Sequence, residues 1–191
     1  NEVKENASVS KIRKLVYLGR LAPQKAIPNL LRAMEALIDK GEKLELHIKG
    51  DGPERKELES FVEASRLKGY VFFHGHVDND MVSKQLRQYD IFVLPSLYEG
   101  FATSVIEAMF VGLPVVVTKS GGPNYFVDDS VGRVCEPGNI LELTEVLQKM
   151  LIQSDEELLA MGRRGQKRVL ERFDIGQIAK DYIRLFEQLT G

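Results

Sequence analysis

Apolar residues fall into two patterns along the chain: short continuous runs, and longer stretches in which they recur every three or four positions. The short runs suit strands that are buried on both faces of a sheet. They predict six strands, over residues 14–18, 44–49, 71–73, 90–94, 113–117 and 131–135. Strands of this kind are typical of a parallel sheet at the centre of a domain.

The recurring apolar positions predict helices between and after the strands. Residues 26–40 show the pattern best, because their apolar side chains share one helix face. The other predicted helices run from a turn at 50–53 to residue 67, over 80–89, from Thr103 or Ser104 to Gly112, and over 140–152, 155–173 and 175–189. Strands that alternate with helices predict an α/β fold, a doubly wound and mostly parallel six-stranded sheet with helices on both faces.

Sheets of this kind bind ligands at the carboxyl ends of their strands. Three loops follow such strand ends, at residues 19–25, 50–52 and 99–104. The third loop leads into a short helix, whose N-terminal N–H groups and dipole favour a phosphate. Glu99 and Glu107 flank that helix start, and carboxylates accept hydrogen bonds from hydroxyl groups. The combination predicts a ligand that carries both groups, a sugar joined to a nucleoside diphosphate.

The composition indicates an ordinary globular domain. The 191 residues, 43% hydrophobic and 28% charged, are enough for one well-buried domain. A net charge of −2 argues against a nucleic-acid-binding protein, for which a basic excess is typical. The single cysteine, Cys135, cannot form an internal disulfide, which fits a cytoplasmic protein. No apolar run reaches the roughly 18 residues of a membrane span, and the polar residues 1–10 look like a linker.

Four segments carry a resemblance to a known family. They are YLGRLAPQK at 17–25, IKGDGPERKELE at 48–59, FFHGHV at 72–77 and LPSLYEGFATSVIEAMFVGLPVVVT at 94–118, the last with two glutamates separated by seven residues. In this order and spacing they resemble the family 4 retaining glycosyltransferases over nearly the whole chain. The resemblance implies the two-domain GT-B architecture, with residues 11–191 as its Rossmann-like, donor-binding half.

The resemblance also implies the substrates. The donor would be a UDP-sugar or GDP-sugar, bound without a metal ion or other cofactor. Its sugar would pass to a hydroxyl group in glycan or glycolipid biosynthesis with retained anomeric configuration. We expect the acceptor-binding domain to precede residue 1, so that the chain is a fragment without transferase activity of its own. The full-length enzyme would be cytoplasmic, and it could associate with a membrane surface.

Residue roles follow from the same match. Arg20 and Lys25 correspond to the residues that bind the donor diphosphate. Glu107 would accept hydrogen bonds from the ribose, and Glu99, the one catalytic candidate, would orient the transferred sugar. The remaining donor-binding candidates border the base or lie at the turn and helix start beside the phosphates: Gly50, Gly52, His76, Val77, Gly100, Phe101, Ala102, Thr103 and Ser104.

Some of these positions have a plainer structural interpretation. Ser104 and Glu107 have the spacing of a capping box, in which the glutamate would bond its own helix start. Two positions depart from the family pattern. Ala26 stands where a glycine is usual, and the segment from Pro123 lacks the glutamate that often follows the glycine pair. The loop 119–122 would still lie near the donor sugar.

Other polar patterns give no firm site by themselves. Asp78 and Asp80 have the Asp-x-Asp spacing with which the other large glycosyltransferase fold holds a metal, but Asp80 before a helix is typical of an N-cap or first-turn acid. His74 and His76 have no further metal ligand at a suitable spacing. The basic side of the helix 155–173 favours a solvated face, although it could touch anionic lipid.

Two other functions stay open from the sequence. One is a different GT-B activity, such as a nucleotide-sugar epimerase. The other is a non-catalytic module that binds a nucleotide sugar without turnover. The presence of Arg20, Lys25, Glu99 and Glu107 together favours an enzyme.

Overall fold

The computed structural model of the protein describes residues 11–173. The predicted linker 1–10 and the predicted helix 175–189 lie outside the described residues. The described chain forms a six-stranded sheet, in which every strand pair is parallel, with helices packed against it. The predicted doubly wound α/β fold is therefore confirmed.

The strands are β1 (Arg13–Leu18), β2 (Leu44–Lys49), β3 (Val71–Gly75), β4 (Ile91–Leu94), β5 (Val115–Thr118) and β6 (Gly132–Cys135). Across the sheet they stand in the order β3-β2-β1-β4-β5-β6. The direction of this order reverses between β1 and β4. The connections that leave these two strands therefore run to opposite sides and open a crevice at the carboxyl edge of the sheet.

Between residues 11 and 173 the helices are α1 (Ile27–Asp39), α2 (Arg55–Ala64), α3 (Asn79–Leu86), α4 (Thr103–Phe110), α5 (Ile140–Leu151) and α6 (Asp155–Arg172). Two 3₁₀ turns, Pro23–Lys25 and Gly122–Tyr125, stand in the loops after β1 and β5. In the packed domain α1 lies against α5, and α4 lies against α6.

The central strands are buried because almost every side chain on them is apolar. β4 and β5 are buried along their whole length, and β1 is buried from Leu15 onward. The exception in β5 is Thr118, whose hydroxyl donates to the carbonyl of Ser96 at 2.5 Å. This bond fastens the exit of β4 to the end of β5, directly before the segment that carries Glu99.

Element boundaries differ from the sequence prediction where local turns take over. α2 ends at Ala64, and the buried Leu67 belongs to the turns that lead into β3. α3 begins one residue earlier than predicted, so Asp78 is its N-cap residue and Asp80 lies in the first turn. β5 begins only at Val115, since Pro114 has no N–H for the ladder.

Two glycines in α6 test how closely this helix packs. A Cβ at Gly162 would overlap the carbonyl oxygen of Gly112, whereas at Gly165 it would meet Met109 and Val131 at 3.6–3.7 Å, an ordinary contact. Alanine favours a helix over glycine by about 1 kcal/mol. Gly165→Ala should therefore raise the free energy of unfolding. Gly162→Ala should lower it, because the overlap with the Gly112 carbonyl costs more than the gain in helix propensity. Urea denaturation measures both, and equal stabilisation by the two changes would contradict the close approach.

Candidate functional site

A cleft of about 610 Å³ opens at the carboxyl edge of the sheet, beside the reversal between β1 and β4. Its walls come from four strand-exit segments and from the first turns of α3 and α4. All but two of the residues predicted for the site line it: Arg20, Lys25, Gly50, His76, Val77, Glu99, Phe101, Ala102, Thr103, Ser104 and Glu107. Gly52 and Gly100 lie outside this lining. A Cβ at Gly52 would overlap a neighbouring loop, whereas one at Gly100 would meet no atom within 4 Å, so the structure gives no reason for glycine at position 100.

The loops after β1 and β2 are tied together by their main chains. The N–H of Leu21 donates to the carbonyl of Asp51 at 2.9 Å. A Cβ at Gly50 would overlap the carbonyl oxygen of Gly19, and one at Gly52 would overlap that of Leu21. Glycine is thus required at both positions, because no side chain fits between the two loops.

Arg20 lies in the loop after β1, and its main-chain carbonyl is held by a hydrogen bond from the strand itself. Tyr17, which is fully buried in β1, donates its hydroxyl to the Arg20 carbonyl at 2.8 Å. Burial, followed by the nearby carboxylates of Glu99 and Glu54, raises the pKa of Tyr17, so its hydroxyl stays protonated as a donor. The Arg20 side chain itself is exposed at the cleft. There its guanidinium can bind two oxygens of an anion.

Lys25 and Glu99 form an ion pair inside the cleft, with side chains that are only 19% and 9% exposed. Ser96 also donates its hydroxyl to the Glu99 carboxylate, Oγ to Oε1 at 2.6 Å. The lysine predicted for the diphosphate and the glutamate predicted for the sugar therefore neutralise each other in this structure.

The main chain of Glu99 is held by the loop after β5. Its N–H donates to the carbonyl of Ser120 at 2.7 Å, and its carbonyl accepts from the N–H of Gly122 at 3.2 Å. A Cβ at Gly121 would overlap the Glu99 carbonyl oxygen, and one at Gly122 would overlap that of Gly100. This loop thus lies directly against the segment that carries Glu99.

Two helices beside the cleft begin without a side-chain cap. α1 follows Ala26 and α4 follows Ala102, both in the left-handed conformation with φ of 49° and 47°. Among residues 11–173 no other non-glycine residue has a positive φ. Such a conformation costs of order 1–3 kcal/mol and tends to cluster at functional sites. Ala26, where the family pattern has glycine, therefore adopts the glycine-like backbone in spite of its Cβ.

The prediction that Thr103 or Ser104 caps α4 is wrong. Ala102 occupies the N-cap position, and both hydroxyl residues belong to the first turn. The capping box between Ser104 and Glu107 is also absent, because α4 starts two residues too early for Ser104 to be its N-cap. The sequence does not reveal this, since nothing in an alanine marks it for a left-handed conformation.

Glu107 lies one turn into α4, partly buried in the wall of the cleft. Burial raises the pKa of its carboxyl, because the ionised form loses part of its hydration. The capping interpretation of Glu107 is excluded, and a ligand-binding role stays a prediction.

Five residues of the cleft are not among the individually predicted site residues: Leu18, Gly19, Asp51, Asn79 and Val82. Gly19 and Asp51 lie within the predicted loops 19–25 and 50–52. Asp51 carries a usable signal, since it stands between the two predicted glycines. The N–H of Gly52, and after it the Arg55 side chain, lowers the pKa of the Asp51 carboxyl. Asn79 and Val82 line the cleft because of how α3 is rotated about its axis where it packs beside β3. The sequence pattern does not give this rotation.

Between residues 11 and 173 no group of three or more His, Cys, Asp or Glu side chains is arranged to hold a metal ion. His74 contacts His47, ring nitrogen to ring nitrogen at 2.9 Å, and His76 faces Asp78 at 3.9 Å. Over the same residues no helix has the length and apolar character to cross a membrane.

Comparison with known proteins identifies the family. The family model described as glycosyl transferases group 1 matches residues 1–168. The chain belongs to the group 1 glycosyl transferases. The resemblance to enzymes of GT-B architecture is thereby confirmed, and membership of family 4 is consistent with it.

Relatives of this group 1 domain are longer proteins. The 2-deoxystreptamine N-acetyl-D-glucosaminyltransferase of Niallia circulans is 27% identical over 173 residues, which cover 90% of this chain and 44% of the relative. The structure of sucrose-phosphate synthase from Thermosynechococcus elongatus matches with a TM-score of 0.82 and 26% identity, over 94% of this chain and 46% of that one. The chain thus spans less than half of either protein.

A separately solved domain of the group has nearly the size of this chain. It is the C-terminal domain of a glycosyl transferase group 1 family protein from Francisella tularensis. Its TM-score is 0.74 at 26% identity, and the match covers 85% of this chain and 87% of that domain. The group 1 domain described by residues 11–173 therefore corresponds in extent to a unit that has been solved alone.

Glu107 generates a prediction about stability and pH. Its folded-state pKa is raised, so its favourable contribution is complete below the unfolded pKa of about 4.3 and is lost as pH rises through the folded pKa. Glu107→Gln removes this titration. The variant should match the parent in free energy of unfolding at about pH 4 and exceed it at about pH 7 in urea denaturation. A parent more stable than the variant at neutral pH would show that the fold itself stabilises the carboxylate.

Proposed function

We propose that this chain is the donor-binding half of a retaining glycosyltransferase, which transfers a sugar from a UDP-sugar or GDP-sugar to a hydroxyl group of a glycan or glycolipid. One observation carries the proposal. The cleft is lined by two cations, Arg20 and Lys25, by two carboxylates, Glu99 and Glu107, and by the uncapped start of α4. Cations and helix termini suit a diphosphate, and carboxylates suit sugar hydroxyls. A nucleotide sugar carries both kinds of group in one molecule.

The diphosphate would lie between the loop after β1 and the start of α4. Arg20 would bind two phosphate oxygens through its planar fork, and Lys25 would supply a point charge. The first N–H groups of α4, at Thr103 and Ser104, add the partial positive charge of a helix N-terminus. Together these groups would stabilise the charge that develops on the diphosphate as it leaves.

The nucleoside would extend along the other half of the cleft. The Glu107 carboxylate can accept hydrogen bonds from two ribose hydroxyls, and these bonds would offset the desolvation that raises its pKa. The base would lie near His76 and Val77, beyond the loop at Gly50, where Val82 of α3 supplies an apolar wall.

Glu99 would orient the transferred sugar by accepting hydrogen bonds from its hydroxyls. To do so, its carboxylate must loosen the ion pair with Lys25. A bound diphosphate offers that lysine a stronger negative partner, so donor binding would release a Glu99 oxygen for the sugar. Ser96, at 2.6 Å, would keep the carboxylate in place during the exchange.

In the transfer step the bond between the anomeric carbon and the phosphate oxygen breaks, and the acceptor oxygen bonds the same carbon. The acceptor proton passes to the departing phosphate oxygen on the same face of the sugar, so the configuration is retained. The protein then needs no nucleophile of its own. Its residues act by holding the sugar and by stabilising the leaving group.

The acceptor site belongs to a second domain in this proposal. The relatives are about twice as long as the chain, so the chain alone would bind the donor without transferring its sugar. Arg20, Lys25 and the α4 start already oppose the diphosphate charge, and we therefore propose that donor binding needs no divalent ion. We place the full-length enzyme in the cytoplasm, with which the single Cys135 is consistent.

The first test is nucleotide binding in excess chelator. The 191-residue chain should bind UDP or GDP in isothermal titration calorimetry with no metal present, and it should show no transfer. Arg20→Ala should weaken that binding on the order of 10–100-fold, the value of a charge-assisted hydrogen bond. Arg32→Ala, an equal charge change on the exposed side of α1, is the control. Binding that needs a metal ion, or equal effects of both variants, would refute the assignment.

A second test uses the ion pair in the cleft. Because Glu99 competes with the diphosphate for Lys25, Glu99→Gln should leave UDP or GDP affinity unchanged or raise it. The extra affinity that the sugar gives to the nucleotide should fall about tenfold. Lys25→Ala should instead weaken the bare nucleotide. If Glu99→Gln weakens the nucleotide as much as Lys25→Ala does, Glu99 serves only to hold the lysine in place.

A further inference from the structure

Three arginines of α6 bind the segment that follows β5. Arg164, Arg168 and Arg172 stand four residues apart and so share one face of the helix. Each donates to a main-chain carbonyl of residues 125–130. In the order of the arginines, these carbonyls belong to Ser130 at 2.7 Å, Phe126 at 3.1 Å and Tyr125. We call these three residues the arginine ladder.

Arg168, at the centre of the ladder, makes the most contacts. Besides the carbonyl of Phe126, it reaches the Asp128 carboxylate and the Ser130 hydroxyl, both at 2.9 Å. The Ser130 hydroxyl, and after it Arg168, lowers the pKa of Asp128, so the carboxylate stays ionised. Arg164 and Arg172 are exposed, as expected for a solvated basic face, whereas Arg168 is only partly exposed beside residues 126–130. The sequence pattern does not show that this loop lies beside the helix.

The end of α6 also contacts the donor side of the cleft. The ring of Phe173 packs edge-to-face against Phe101, with centroids 5.6 Å apart, and against Phe126 at 5.8 Å. Phe101 lines the cleft just before α4. Edge-to-face contacts of this kind fix the relative orientation of aromatic rings. The last turns of α6 and Phe173 directly after it thus contact both Phe101, two residues beyond Glu99, and residues 125–130.

A short 3₁₀ turn connects the ladder to Glu99. The 3₁₀ turn Gly122–Tyr125 ends at Phe126, whose N–H donates to the carbonyl of Pro123 at 3.1 Å. The other end of the turn begins at Gly122, which donates to the Glu99 carbonyl. A displacement of the segment held by the ladder would therefore shift the main chain of Glu99.

We propose that the arginine ladder positions the sugar end of the cleft, with Arg168 as its central residue. α6 holds the 3₁₀ turn, and the turn holds the main chain of Glu99. The arginines do not line the cleft, so they are positioning residues for a group that would touch the sugar. The role of Glu99 rests on the proposed function, but the mechanical link from Arg168 to Glu99 does not.

The test compares Arg168→Ala with Arg163→Ala in the 191-residue chain. Both changes remove one positive charge from α6, and Arg163 has no contact with residues 125–130 in the part of the chain that the structure describes. Hydrogen exchange of the ligand-free chain should show about tenfold faster exchange at the amides of Glu99 and Gly122 in Arg168→Ala, with the amides of β4 unaffected. Arg163→Ala should leave all of them unchanged.

Calorimetry adds a second measurement, the difference in affinity between nucleotide sugars and bare nucleotides. A general loss of stability would not change this difference. In Arg168→Ala, the affinity for UDP-glucose, UDP-N-acetylglucosamine or GDP-mannose should fall about tenfold more than the affinity for UDP or GDP. Arg168→Lys should restore part of the difference, since one charged contact can re-form. Should Arg168→Ala fail to fold, Arg172→Ala removes a single exposed contact and takes its place.

Each outcome decides the proposal. Unchanged exchange at Glu99 and Gly122 in a folded Arg168→Ala would overturn it. A uniform loss of protection across the sheet, or equal weakening of nucleotides and nucleotide sugars, would also overturn it, because it indicates general destabilisation. If the parent chain binds no nucleotide, the proposed function fails, while the exchange experiment still decides whether Arg168 holds Glu99.

Discussion

Direct contact between the main chains of neighbouring loops is the constraint on which the site depends. Four glycines at the carboxyl edge of the sheet, Gly50, Gly52, Gly121 and Gly122, leave no room for a Cβ against the next loop. At these four positions the loops contact each other through peptide groups, which have none of the rotamer freedom of side chains. Functional side chains that leave these loops start from fixed positions, as precise binding requires.

This rigid frame tolerates local features that would otherwise lower stability. Ala26 and Ala102 hold left-handed backbone, Glu107 is an acid with a burial-raised pKa, and Glu99 is a nearly buried carboxylate. In a domain selected for stability alone, such features would be scattered or absent. Here they surround one cleft at the strand reversal, and a ligand with phosphates and hydroxyls would relieve the charge-related ones. Their concentration in one place supports a binding site independently of sequence similarity.

The sequence predicts the fold well because burial follows the apolar pattern. The strands from Leu15 to Cys135 and the amphipathic face of α1 are read directly from that pattern. The cleft residues are predicted because parallel strands bring their exits to one edge. Features set by the backbone of a single residue are missed, as at Ala102, where an alanine gives no sign of its left-handed conformation. Contacts between distant segments, such as Arg168 with Asp128, are missed because local patterns carry no information about them.

Glu99 is held by two separate parts of the fold, and the separation has a consequence for donor recognition. Its side chain is bound by Lys25 from the loop after β1, whereas its main chain is bound by Ser120 and Gly122 from the loop after β5. A diphosphate that attracts Lys25 can therefore release the carboxylate without moving the backbone that carries it. The phosphate end and the sugar end of a donor would then be linked through one side-chain ion pair. On this arrangement the carboxylate becomes available to a sugar only when a diphosphate is already in place, so a free sugar would bind far more weakly than the same sugar on a nucleotide.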